Sequence, residues 1–281
     1  MKKLIQIMIA TSLMLSVAAG VQAGEKEVLK PDRIQVSYVA PANPAHKPIF
    51  ELLKDRHILE RFQEYLRPLR LPATLLLKTE GCDGVANAWY DADDHAVSVC
   101  YEYLDELLRY APKETTTAGV THDDAIVGPT AEVFLHEVSH ALFDMLKVPI
   151  LGREEDAADQ LASYSLLQFG KEDARKMVFG VAYMYRREAL DQEPKMKQFA
   201  GVHGIPAQRF YNILCMAYGA EPKMFSDLAE KGYLPESRAE GCEDEYRQVT
   251  YAVQKLIQPY LDKDFRKKWK AKKLLRPGQA E

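Results

Sequence analysis

"FLHEVSHALFDMLKVPILGREEDAAD", residues 134–159, carries two histidines four positions apart, His136 and His140, with Glu137 beside the first. An α-helix turns once every 3.6 residues, so side chains at i and i+4 leave the same face. Both imidazoles can therefore reach one point in space, as ligands of a single metal ion must. Glu137 stands close enough to exchange a proton with water held there. The plainer alternative is a buried helix whose histidines satisfy core hydrogen bonds, and a third ligand has to decide between the two.

Local signals favour a helix over 130–147. Pro129 precedes Thr130, a residue suited to the N-cap, and Glu132 favours the first turn. Phe134, Val138, Ala141, Leu142 and Met145 form an apolar stripe that Pro149 ends. A catalytic zinc takes three protein ligands and leaves a position open. A further histidine in the metzincin spacing is excluded, because Phe143 and Leu146 occupy the places its Gly and His would need. The stretch from Gly152 to Asp159 supplies acids instead. Glu155 sits near a helix start with Asp159 one turn later on the same face, so Glu155 can bind the metal while Asp159 accepts the second N–H of an imidazole, His136 being the natural partner. Glu154 competes for the metal, but only Glu155 has an acid one helical turn on.

H-E-x-x-H followed by E-x-x-A-D is similar to the gluzincin peptidases, and Asn87-Ala88-Trp89-Tyr90 resembles the edge strand with which thermolysin-like enzymes hold an extended peptide. The longer strings "ANAWYDADD", "VCYEYL", "FLHEVSHALFDMLKVPILGREEDAADQLA" and "QRFYNILCMAYG" resemble a bacterial metallopeptidase family catalogued as a domain of unknown function, over nearly the whole exported chain. The resemblance implies a zincin-like fold and one Zn2+ bound by His136, His140 and Glu155. It also implies that Glu137 acts as general base and then acid, and that the partner is a peptide or protein substrate. A donor for the developing oxyanion is sought among His203, Arg209, Tyr211 and Tyr218, with Arg209 and Tyr211 equally readable as helix-packing residues. His203 leads, because "GVHGIP" is a Gly-flanked loop from which a side chain can project into a cleft.

Outward from this core, the chain opens with Met1-Lys2-Lys3, an uncharged run over 4–20, and Val21-Gln22-Ala23 before Gly24, the order of a secretory signal peptide cleaved after Ala23. Its loss takes away Lys2 and Lys3 and no acid, so the formal charge of −4 becomes −6. A mildly acidic exported protein follows, periplasmic or secreted, with no stable membrane insertion after cleavage and no nucleic-acid partner. The basic run from Phe265 to the end reads as a solvated terminal helix. All four cysteines, Cys82, Cys100, Cys215 and Cys242, lie in the exported part, where disulfides form. None sits in a CxxC pair, and of the three possible connectivities Cys82–Cys100 with Cys215–Cys242 is favoured, each pair being close in sequence.

The remaining segments read as an α+β chain in which 24–281 form one zincin-like domain. Strands are expected at 34–39, 73–82 and 96–104, with 87–95 a strand leading into a polar turn and one helix over 49–66, so the N-terminal half is a small mixed sheet with a helix packed on it. After a polar linker at 112–124 come helices at 130–147, 154–169, 171–190, 206–218, 222–231 and 243–260, making a mostly helical C-terminal lobe. Three functions stay open on residues alone: an exported zinc peptidase, a zinc-containing envelope or peptide-binding protein without turnover, and a zinc hydrolase of another amide such as a cell-wall crosslink. Nothing in the sequence fixes an oligomeric state.

Overall fold

In the computed structural model the described residues are 28–191 and 195–266, so the expected signal segment 1–23 and the basic run beyond 266 lie outside them. The first half builds a four-stranded mixed sheet from β1 (Ile34–Tyr38), β2 (Leu75–Glu80), β3 (Ala88–Asp91) and β4 (Ala96–Cys100). Its order is β1-β2-β4-β3. The first three of these are parallel, and β3 runs antiparallel to β4 at one edge. Every residue of β4 is buried, as expected for an apolar strand with neighbours on both sides, whereas β2 alternates between buried and half-buried positions.

Two expectations for this half change. The single helix over 49–66 is two helices, α1 (Lys47–Asp55) and α2 (Ile58–Leu66), separated where His57 adopts a left-handed φ of 52°. Tyr38 explains how the break is tolerated: its hydroxyl accepts the Leu59 N–H at 2.9 Å and donates to Glu60 at 2.7 Å, so a side chain from β1 satisfies the restarted helix. The strand expected to run to residue 104 stops at Cys100, and α3 (Tyr101–Tyr110) follows at once. Tyr101, Leu104 and Leu107 recur at helical spacing and are all buried. The Glu102 carboxylate accepts the N–H groups of Cys82 and Gly84, each at 3.0 Å, which fixes the first turn of α3 against the loop before β3.

The second half is helical: α4 (Asp124–Met145), α5 (Glu154–Leu166), α6 (Lys171–Asp191), α7 (Pro206–Ala220), the short α8 (Ser226–Glu230) and α9 (Glu236–Ala239), and α10 (Cys242–Leu256). Here α4 is the central element, packed on β3 and β4 on one side and on α5 and α6 on the other. Most of its residues are buried around its full circumference, so it is a core helix and not the amphipathic surface helix its stripe suggests. It also starts a turn and a half before the expected Thr130. Thr121 and Asp124 form a reciprocal cap, the Asp124 N–H donating to the Thr121 hydroxyl at 3.1 Å and the Thr121 N–H to the Asp124 carboxylate at 3.0 Å. Pro129 is thus internal and costs α4 one backbone hydrogen bond near its start.

Gly128 and Gly180 let the amino-terminal part of α4 lie directly on α6. A β-carbon on Gly128 would strike the Met177 carbonyl oxygen, and one on Gly180 would strike that of Asp124. Two disulfides close the favoured loops: Cys82–Cys100 ties the segment before β3 to the end of β4, and Cys215–Cys242 ties α7 to the start of α10. In the chain-entropy view loops of that size stabilise by about 3 kcal/mol each.

Candidate metal centre

His136, His140 and Glu155 converge. His136 Nε2 and His140 Nε2 are 3.2 Å apart, and Glu155 Oε2 lies 3.1 Å from the first and 3.2 Å from the second. The outer nitrogens are already committed: His136 Nδ1 is 2.8 Å from Asp159 Oδ1, and His140 Nδ1 is 2.7 Å from Glu154 Oε1. An ionised carboxylate can only accept, so both Nδ1 atoms carry a proton. In the metal-free cluster His136 also shares a proton from Nε2 with Glu155, and once that proton leaves both Nε2 atoms and the Glu155 oxygen can face one cation. A tetrahedral ion with bonds of about 2.0–2.1 Å separates its ligand atoms by about 3.3 Å, close to the observed edges. The donor set of two nitrogens and one oxygen also suits zinc.

The elements impose this arrangement. α4 places its two histidines one turn apart on the face that meets α5, and α5 starts at Glu154 so that its first-turn acids sit at the positive end of the helix dipole. Glu154, weighed in the sequence as a rival to Glu155, instead backs His140. Behind Asp159 stands Arg209 of α7, with Nε to Oδ2 at 2.8 Å and Nη2 to Oδ1 at 2.6 Å. Arg209 also lies over the Tyr185 ring and reaches Glu132 at 3.4 Å, while the Tyr185 hydroxyl donates to Glu132 at 2.7 Å. This buried chain removes Arg209 from the oxyanion donors considered above: its guanidinium is spent holding Asp159, two bonds behind His136. Tyr211 is exposed and packs edge-on against Phe210. His203 fares differently, its Nε2 lying 2.8 Å from Glu155 Oε2 on a half-exposed side chain, with its ring stacked against that of His136.

Electrostatics follow from burial and pairing. Burial alone would lower the His136 imidazole, but the Asp159 and Glu155 carboxylates outweigh it and hold it at about 10. The same contacts draw Glu155, through His136 first, and Asp159, against its own burial, down to about 2. Glu137 is 8 % exposed, and burial raises its carboxyl, with the two histidines opposing the shift. These values describe the metal-free cluster, and the sign of its pH response is fixed. A raised imidazole stabilises the fold below its ordinary 6.5 and loses that contribution as pH climbs toward 10. Depressed carboxyls stabilise above their ordinary 3.8 and 4.5 and lose it as pH falls toward 2. Metal-free protein should therefore melt highest at about pH 5–6.5 and progressively lower up to about pH 10. Zinc should flatten the alkaline decline, since the ion takes the proton's place. Calorimetry with and without chelator checks this, and an equal decline in both forms would contradict it.

The fold is α+β, and His136, His140 and Glu155 form a cluster that could hold a metal ion. The chain belongs to the DUF4344 family, whose description reads "Putative metallopeptidase" and which it matches over residues 38–257. No curated protein and no solved structure matches the chain.

Proposed function

We propose that this protein is an exported zinc-dependent peptidase of the gluzincin type, with a zincin-like catalytic domain over 24–281. The carrying observation is the convergence of His136 Nε2, His140 Nε2 and Glu155 Oε2 at 3.1–3.2 Å while both Nδ1 atoms are held by carboxylates. When bound there, zinc supplies a Lewis acid that makes water acidic enough to attack at neutral pH and polarises the scissile carbonyl. Glu137, adjacent to the ligands and raised by burial, takes the proton from the attacking water and delivers it to the leaving amine. His203 Nε2, next to Glu155, donates to the oxygen that gains charge. Asp159 and Glu154 fix the ring orientations of His136 and His140. The edge strand β3 aligns an extended peptide by backbone pairing. Export is supported by two disulfides and by the order of Lys2, Lys3, the apolar run and Ala23.

Purified protein spanning 24–281 should contain one zinc per chain and cleave a pool of quenched fluorescent peptides. Dialysis against chelator should remove both the metal and the cleavage, and added zinc should restore both. Cleavage that persists after complete metal removal would reject the assignment.

A further inference from the structure

The edge strand and the metal ligands belong to different halves of the molecule, and one hydrogen bond joins them. His136, His140 and Asp144 occupy positions i, i+4 and i+8 of α4, a single stripe along the helix. At the end of that stripe Asp144 Oδ2 accepts the Tyr90 hydroxyl of β3 at 2.9 Å. The carboxylate is held in turn by Lys147 through its other oxygen at 3.1 Å, and the Tyr90 oxygen lies 3.0 Å from His95 Nδ1 in the turn that follows β3.

Register makes Tyr90 the pertinent residue. In an antiparallel pair, residues that bond across the ladder alternate with residues whose N–H and C=O point away from it. The Cys100 N–H donates to the Asn87 carbonyl, and Trp89 lies opposite Ser98, so 87, 89 and 91 face β4. Ala88 and Tyr90 then turn their backbone groups to the open edge. Of these two, Tyr90 is the one whose side chain is tethered to α4.

We propose that Tyr90 and Asp144 are positioning residues, whose hydrogen bond sets the distance between the pairing edge of β3 and the His136, His140 and Glu155 cluster, and so aligns an extended peptide with the reacting centre. The inference rests on the peptidase reading above and adds a determinant of long-peptide binding that a minimal substrate does not need.

The test uses Tyr90→Phe and Asp144→Asn, each alone and each combined with Glu137→Gln. Zinc affinity by chelator competition should stay close to the parent, since neither residue is among the converging ligands, while the melting temperature should fall by the few degrees that one lost hydrogen bond costs. For a long quenched peptide KM should rise by about tenfold, since an edge strand displaced by about an ångström no longer presents its groups in register with the reacting centre. A blocked dipeptide, too short to pair along β3, should change little in kcat/KM. In the Glu137→Gln background, anisotropy of a labelled long peptide should report the same weakening without turnover. Equal losses on long and short substrates, or unchanged long-peptide affinity with zinc retained, would overturn the proposal. If wild-type protein cleaves no peptide, the peptidase reading fails while the anisotropy comparison still decides the role of Tyr90. Tyr65→Phe removes a hydroxyl that bonds the Ser165 carbonyl, remote from β3, and serves as a control for general loosening.

Discussion

Glu137→Gln is expected to lower kcat on a cleaved peptide by about a thousandfold, within the usual range for a general acid–base group, while one zinc per chain is retained. The substitution is nearly isosteric, so the buried pocket beside His136 keeps its shape, and the amide still fills the volume left by the carboxylate. What it loses is the ability to accept a proton at neutral pH. Because Glu137 contributes none of the three converging atoms, metal affinity should stay within a few-fold of wild type, which separates this variant from any change in the ligands. A thousandfold loss corresponds to about 4 kcal/mol of transition-state stabilisation, far more than a packing change at this position would produce. Stopped assays with metal analysis of the same sample make the comparison, and unchanged hydrolysis in the variant would eliminate Glu137 as the proton carrier.

The parts of this site most legible in the sequence are built from pairs one helical turn apart on elements close together in the chain. His136 with His140 and Glu155 with Asp159 are i,i+4 pairs, and helix geometry alone brings each pair to one face. Both disulfides span short segments, and proximity in sequence favours their pairing. Contacts that depend on how helices cross were not legible: Arg209 reaches Asp159 from 50 residues away and Tyr90 reaches Asp144 from 54. Neither carries a local signal, so in the sequence Arg209 reads equally as an oxyanion donor or a helix-packing residue, and only the fold sets its guanidinium against Asp159. Glu154 was considered as a metal ligand for a related reason: adjacent helical residues diverge by about 100°, and only the packing of α5 on α4 decides which of two neighbouring glutamates faces the metal position and which meets His140 Nδ1. The start of α4 differs from its expectation although the sequence holds a signal for it. Thr121 and Asp124 have the spacing of a reciprocal helix cap, but Pro129 drew the start of α4 downstream, since a proline is more often found near a helix start than inside it.

The ligand assignment carries the second large effect. His140→Ala and Glu155→Ala should each weaken zinc binding by at least about a hundredfold, beyond the roughly 10–100-fold typical of losing an outer partner of a ligand. His140→Ala leaves Glu154 without its imidazole partner and removes one of two inward nitrogens, so two of the three edges of the cluster disappear. Glu155→Ala removes the oxygen on which His136, His140 and His203 all converge, and with it the negative charge that balances a divalent cation. Glu154→Gln is the informative contrast. It keeps a hydrogen-bond acceptor for His140 Nδ1 but loses the charge that makes the imidazole a stronger ligand, so its affinity should fall by no more than about tenfold. That ordering, with Glu155→Ala far below Glu154→Gln, follows only if Glu155 is the ligand and Glu154 its neighbour's support. The reverse ordering in chelator competition would exchange their roles, and equal small effects from all three variants would mean that the metal does not sit at this cluster.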